Sequence, residues 1–157
     1  LLSELQYLID NNIKDKGEYQ LTNAMEHMKN KGMKLVPGKV IEWLDCGNKD
    51  ATVYTNKRVL EIKHPKNKIA ASAVSKNSVI IEPCFIDENV QIQNSVIGPH
   101  VSIGANSKIK NSVITNSIIQ NNSSVETACI DNSMIGSFTQ YKGKPSDLSM
   151  GDYSTEV

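Results

Sequence analysis

Asn77-Ser78-Val79-Ile80 recurs as Asn94-Ser95-Val96-Ile97 and again as Asn111-Ser112-Val113-Ile114, 17 residues apart both times. Related forms follow at Asn116-Ser117-Ile118-Ile119 and Asn132-Ser133-Met134-Ile135. A fixed period of this kind marks a stack of similar units. Within the units the aliphatics step more finely. Ile80, Ile86, Ile92 and Ile97 are 6, 6 and 5 apart, and Ile103, Ile109 and Ile114 continue by 6, 6 and 5. Ile119, Val125, Ile130 and Ile135 then follow by 5, 6, 5 and 5. Neither the helical period of 3.6 nor the strand period of 2 produces such steps. A three-sided coil does, if each step is one flat face with one aliphatic aimed at the axis.

A second register agrees. Four residues after many of these aliphatics come Val90, Val101, Ser107, Ser123 and Cys129, small or β-branched residues on the same side of an extended chain. Gly98, Gly104, Gly136, Asp87, Asp131 and Glu126 stand one residue after an aliphatic, and Asn89, Asn106 and Asn122 three after. Glycine, asparagine and aspartate take up the unusual backbone of a tight corner at little cost. About four coils fit between Ile69 and Ile135. Val79, Val96, Val113 and Ile118 alternate with the inward isoleucines and are expected to form an outward apolar stripe, a surface for self-association.

The pattern aliphatic–Gly/Asp/Glu–x–x–small–x resembles the hexapeptide repeats of the left-handed parallel β-helix family. The handedness is what the resemblance implies. Many proteins of that fold transfer acyl groups and need a general-base histidine. His100 is the only histidine of the repeats, in a corner slot filled elsewhere by asparagine, and is expected to be exposed there. His27, His64 and His100 do not fall in three coils, which excludes a three-histidine metal site of the carbonic anhydrase kind.

The front of the chain follows different rules. Leu1, Leu5, Leu8 and Ile9 form a helical stripe over Leu1–Ile13. Thr22 or Asn23 is expected to cap a second helix, with Glu26 in capping-box spacing from Asn23 and Gly32 ending it. Lys39–Leu44 reads as a short strand, and Asn48 or Asp50 starts a third helix through Val53, Val59 and Leu60. The expected organisation is an α/β remnant over 1–63, a β-helix over 64–136 and a capping tail over 137–157, mainly β in class. Leu1-Leu2-Ser3-Glu4-Leu5 reads as the middle of a helix, so a truncated product is expected.

Composition narrows the partners. Lysine plus arginine and aspartate plus glutamate are 17 each, so the net charge is zero. No basic excess points to nucleic acid or to an anionic membrane. Three scattered cysteines form no CxxC pair and suit a reduced, cytoplasmic setting rather than a disulfide framework or a zinc site.

Gly17-Glu18-Tyr19-Gln20-Leu21-Thr22-Asn23-Ala24 is similar to the G-E-(Y/L)-Q-(L/I)-T-D-(A/V) segment of sugar-1-phosphate nucleotidyltransferases. Trp43-Leu44-Asp45-Cys46-Gly47 looks like their W-x-D-x-G segment, and Gly151-Asp152-Tyr153-Ser154 resembles the G-D-x-S end of long glucose-1-phosphate thymidylyltransferase-like members. These features lie in the family's order, and the long members end in a left-handed β-helix. The resemblance implies attack of a sugar-1-phosphate, glucose-1-phosphate above all, on the α-phosphorus of a nucleoside triphosphate such as dTTP or UTP. It implies Mg²⁺, with Asp45 as a metal ligand and Glu18 contacting sugar hydroxyls. Asn23 departs from the family's aspartate. The glycine-rich G-x-G-T-R-L loop, the first metal-binding aspartate and the phosphate-binding lysines are not in this sequence, so no catalytic residue is assigned within it and the chain by itself is expected to be inert. Two other readings remain: a bifunctional protein whose β-helix is a sugar acetyltransferase, and a non-catalytic assembly module.

Overall fold

The structure, a computed structural model, describes residues 1–155 and divides into two units, residues 1–43 and residues 44 onward. The first unit holds α1 (Leu2–Asp10) and α2 (Leu21–Asn30). Leu8 and Ala24 are its buried apolar residues, and Glu4 is buried with them. The Glu4 carboxylate accepts hydrogen bonds from Lys31 Nζ at 2.8 and 3.0 Å and pairs with Nδ1 of His27. The His27 ring stacks on Tyr7 at 4.6 Å.

Two expectations for this unit change. Gln20 takes the N-cap position without a side-chain bond, and Thr22 and Asn23 lie inside the first turn. Gly32 does follow the helix end, at φ +86°. No strand forms over Lys39–Leu44; Val40, Ile41 and Trp43 are 65%, 94% and 81% exposed. A strand exists only by pairing, and no strand of this unit stands ready to pair with it among the described residues.

In the second unit α3 (Lys49–Lys63) begins as expected, with the Asn48 side chain accepting from Ala51 N at 2.9 Å. Fourteen short strands follow among the described residues. They are β1 (Lys68–Ile69), β2 (Val74–Lys76), β3 (Val79–Ile80), β4 (Cys84–Ile86), β5 (Gln91–Gln93), β6 (Val96–Ile97) and β7 (Val101–Ile103). Then come β8 (Lys108–Lys110), β9 (Val113–Ile114), β10 (Ile118–Ile119), β11 (Ser124–Glu126), β12 (Cys129–Ile130), β13 (Met134–Ile135) and β14 (Gln140–Lys142). They pair in parallel as three sheets, β1-β4-β7-β10-β13, β2-β5-β8-β11-β14 and β3-β6-β9-β12. Every third strand is a neighbour, so the chain winds as a β-solenoid of about four turns. The pairing runs from Lys68 to Lys142, beyond the Ile135 at which the aliphatic spacing stops.

The core is a stack of inward rows. Ile97 and Ile114 lie between Ile80 and Ile130, Ile86, Ile103 and Ile119 form the second row, and Ile92, Ile109 and Val125 the third. Burial of each such side chain is worth roughly 1.5–3 kcal/mol. A small residue accompanies each aliphatic, always two positions before it: Val90 before Ile92, Ser95 before Ile97, Ser112 before Ile114, Ala128 before Ile130. Cys129, expected inward, is therefore exposed and Ala128 takes the inward place. Counting forward from the previous aliphatic fails wherever the step is five, because the shorter corner removes one residue between the two.

A row of serines ties one turn to the next. Ser95 N donates to Ser78 Oγ, Ser112 N to Ser95 Oγ and Ala128 N to Ser112 Oγ, at 3.1 to 3.2 Å. Outside them Asn77, Asn94 and Asn111, all near φ +50°, form a side-chain ladder with bonds of 2.9 and 3.1 Å. Such residues adopt the left-handed region at least cost. At the Gly98 corner the backbone has φ +105°, and a Cβ would stand 2.0 Å from the Ile81 carbonyl oxygen, so only glycine fits.

The expected apolar stripe is revised. Val79, Val96, Val113 and Cys129 are in register on one face. Ile118 is on a different face, paired with Ser102 and Met134. One face later in the coil, its alternation with Ile119 matches but its neighbours do not.

Candidate functional site

Asp45 stands in the turn before α3. Its Oδ1 accepts from Cys46 N at 2.8 Å, and its carbonyl accepts from Thr55 Oγ1 at 2.6 Å. Thr52 Oγ1 reaches the Cys46 carbonyl at 3.3 Å and that of Asn48 at 2.7 Å. The turn is thus fastened to the first two turns of the helix. A Cβ on Gly47 would come within 3.2 Å of Asp45 Oδ2, so the glycine leaves that oxygen uncrowded. The carboxylate is exposed.

Glu18 lies in a tight turn of the first unit, where Asp15 and Glu18 exchange backbone hydrogen bonds of 2.9 and 3.0 Å. Its Oε2 accepts from Gln20 Nε2 at 3.3 Å, and the side chain is exposed. Among the described residues no group of three or more His, Cys, Asp or Glu side chains gathers as a metal site.

His100 is a correction to expectation. It occupies its corner at φ +63°, but the side chain is only 15% exposed, because α3 lies over it. Its Nε2 meets Glu61 Oε1 at 3.1 Å. Arg58, which also pairs with Glu61, holds the Glu61 carboxyl below the usual carboxylate range, and His100 adds to this.

The neighbouring corners meet α3 as well. Asn56 accepts from Ser102 Oγ at 2.6 Å through Oδ1 and donates from Nδ2 to the His100 carbonyl at 3.3 Å. Lys49 Nζ donates to the Asn132 carbonyl at 3.0 Å, and Asn132 Nδ2 to Asp50 Oδ1 at 3.0 Å. Asp131 accepts from the Thr115 hydroxyl at 2.6 Å and from Asn116 Nδ2 at 2.8 Å, and the two bonds hold its carboxyl below the usual carboxylate range. Val53 and Leu60 are the buried residues of the helix. Sequence reasoning missed Asn56, Ser102 and Glu61. One signal was available: the outward row of that face reads Lys68, Phe85, Ser102, Ile118, Met134, with Ser102 its one hydroxyl.

No protein-family model matches the chain. Two characterised proteins are similar to it. A glucose-1-phosphate thymidylyltransferase of Streptomyces antibioticus is 30% identical over 138 residues, covering 77% of this chain and 38% of that protein. A glucose-1-phosphate thymidylyltransferase of Streptomyces griseus is 26% identical over an alignment of 161 residues, covering 88% of this chain and 45% of that protein. The chain spans less than half the length of these relatives. It is weakly homologous to glucose-1-phosphate thymidylyltransferase over much of its length, and its β-solenoid agrees with a C-terminal β-helix portion. Among the described residues no helix is long and apolar enough to cross a membrane.

Proposed function

We propose that this chain is the C-terminal part of a cytoplasmic enzyme that transfers a nucleotidyl group from dTTP or UTP to glucose-1-phosphate. The observation that carries the reading is the similarity to two thymidylyltransferases across 77% and 88% of the chain. In the reaction a phosphate oxygen of the sugar-1-phosphate bonds to the α-phosphorus, the bridge to the β-phosphate breaks, and pyrophosphate leaves with the electron pair.

Asp45 suits one Mg²⁺ ligand, since it is an exposed hard carboxylate in a fastened turn with Oδ2 left uncrowded by Gly47. Mg²⁺ is ordinarily held by one or two carboxylates together with substrate phosphates and waters, so a lone aspartate fits and a full cage is not required. When bound, the ion supplies neutralisation of the two approaching anions. Glu18 supplies an acceptor for sugar hydroxyls from a turn fixed by its own backbone bonds.

The chain alone should form no sugar nucleotide from dTTP or UTP and glucose-1-phosphate, because its sequence carries no G-x-G-T-R-L loop to bind the triphosphate. Turnover above a blank would sink that expectation. In the longer polypeptide, Asp45→Ala should lower kcat by about 100-fold or more. An unchanged rate at saturating Mg²⁺ would remove Asp45 from the site.

The β-helix serves structure and self-association. Supporting this, Val79, Val96 and Val113 line one face without a charged residue in their row. Val96→Glu with Val113→Glu should shift the sedimentation of the protein toward the monomer. A monomer at micromolar concentration before substitution would refute the assembly role.

A further inference from the structure

We infer that the β-solenoid sets the position of Asp45, with Asn56 and Ser102 as positioning residues that act through α3 and Thr55. The inference deepens the reading of Asp45 as a Mg²⁺ ligand and rests on it.

The helix and the coil run past one another with matching rulers. Lys49 and Asp50 bond the corner at Asn132, and Asn56 and Glu61 bond the corner at His100. Asp50 to Asn56 is six residues of helix, about 9 Å at 1.5 Å each. Asn132 to His100 is two turns of coil, about 9.6 Å at the spacing of paired strands. The corners at 131–132, 115–116 and 99–100 therefore form a column along which α3 lies.

Apolar contact alone would not choose one register along that column. Past Lys68, the outward row of that face is an apolar track of Phe85, Ile118 and Met134, with nothing in it but Ser102 to fix a register. Ser102 interrupts the track, and its hydroxyl meets Asn56 Oδ1 at 2.6 Å while Asn56 Nδ2 reaches the His100 carbonyl. One side chain thus uses both ends on two different groups of the coil. Hydrogen bonds are directional, so this pair selects a single axial position and rotation of α3.

Thr55 is the next residue back in the helix, and its hydroxyl holds the Asp45 carbonyl at 2.6 Å. A slip of α3 by one residue turns every side chain by about 100° around the axis. Asp45 is bonded to that same helix, so a slipped or loosened α3 carries the carboxylate away from its place on the coil and weakens the Thr55 bond that holds its turn. The path from coil to carboxylate is Ser102, Asn56, Thr55, Asp45, each link a neighbour in sequence or a bond of known length.

The test uses the 157-residue chain, with Mn²⁺ as the metal probe. Hydrogen exchange is read at the Cys46 amide, which donates to Asp45 Oδ1. Paramagnetic broadening by Mn²⁺ is read at the Cys46 and Gly47 amides. Asn56→Ala and Ser102→Ala should each speed Cys46 exchange by about three- to tenfold, the loss expected for one or two hydrogen bonds. They should also weaken Mn²⁺ broadening, while the amides of Ile103 and Ile114 in the coil keep their protection. Ser102→Thr keeps the hydroxyl and should restore both readouts. Thr55→Val should give the same loosening without touching the coil. Cys46 exchange unchanged in Asn56→Ala or in Thr55→Val would overturn the inference. Mn²⁺ broadening in Asp45→Asn equal to that of the unaltered chain would instead overturn Asp45 as a ligand, and the exchange comparison would still decide the positioning.

Discussion

The Ser112 hydroxyl accepts the amide hydrogen of Ala128, one turn further along the coil, at 3.2 Å. The same hydroxyl donates to the Lys110 carbonyl at 2.7 Å, and Ser112 and Ala128 are both buried. Ser112→Ala would strand a buried N–H and weaken the satisfaction of a carbonyl. The expected cost is about 1–3 kcal/mol in urea unfolding. Ser78→Ala should cost less, because Ser78 is only half-buried at the start of the row and its loss leaves a site nearer to solvent than that of buried Ser112. Equal costs at the two positions would mean that burial does not govern the serine row.

Thr127 occupies the place after Asn77, Asn94 and Asn111 in the outer ladder, at φ +53°. A β-branched residue is strained in that region, and asparagine much less so. Thr127→Asn should raise stability by about 0.5–1 kcal/mol, seen as a higher Tm. A lower Tm would show that the threonine side chain contributes something the backbone strain does not reveal.

Cys84 is fully buried, with Sγ 3.1 Å from the Ile81 carbonyl, and burial pushes its thiol above the usual range. Cys46 and Cys129 are exposed. Ellman's reagent should therefore titrate two thiols in the native protein and the third only after denaturation. Rapid reaction of all three would indicate that the coil opens around Cys84.

Glu4 is held below the usual carboxylate range, first by its hydrogen bond from Lys31, with His27 adding to the effect and burial opposing it. A carboxyl depressed in the folded state contributes stability above its unfolded value near 4.5, and that contribution is lost as pH falls through the lower folded value. The α1–α2 pair should thus loosen below about pH 4.5, with Glu4→Gln removing that dependence. Helical signal or amide protection in this unit that is flat from pH 6 to pH 3 would contradict the role given to Glu4.

The coil was legible because its rule is local. Inward isoleucines repeat at a spacing that no other regular structure shares, and asparagines stand where the backbone must turn left-handed. Its last strand was not legible, because Tyr141, 45% exposed, stands in register with Val125 where an isoleucine or valine would have announced the strand. The strand expected over Lys39–Leu44 failed for the opposite reason. Alternation is a property of the segment, but pairing belongs to a neighbour, and Ile41 is left 94% exposed. For the candidate site, Asp45 and Glu18 came from resemblance alone, and the structure shows how each turn is held rather than what it binds. The fastening of α3 was hidden because Asn56, Glu61 and Ser102 are ordinary surface residue types whose significance arises only when a helix lies along a column of corners.

The paired strands also record a change of count. Cys84 pairs with Val101 and Val96 with Val113 at intervals of 17, whereas Ser102 pairs with Ile118 and Val113 with Cys129 at intervals of 16. The lost residue falls in the corner around Asn116, and the rows of isoleucine continue across it undisturbed. A gene encoding such a coil can therefore lose or gain a codon at a corner without shifting the frame of the core, while the same change inside a strand would turn its inward residues to water.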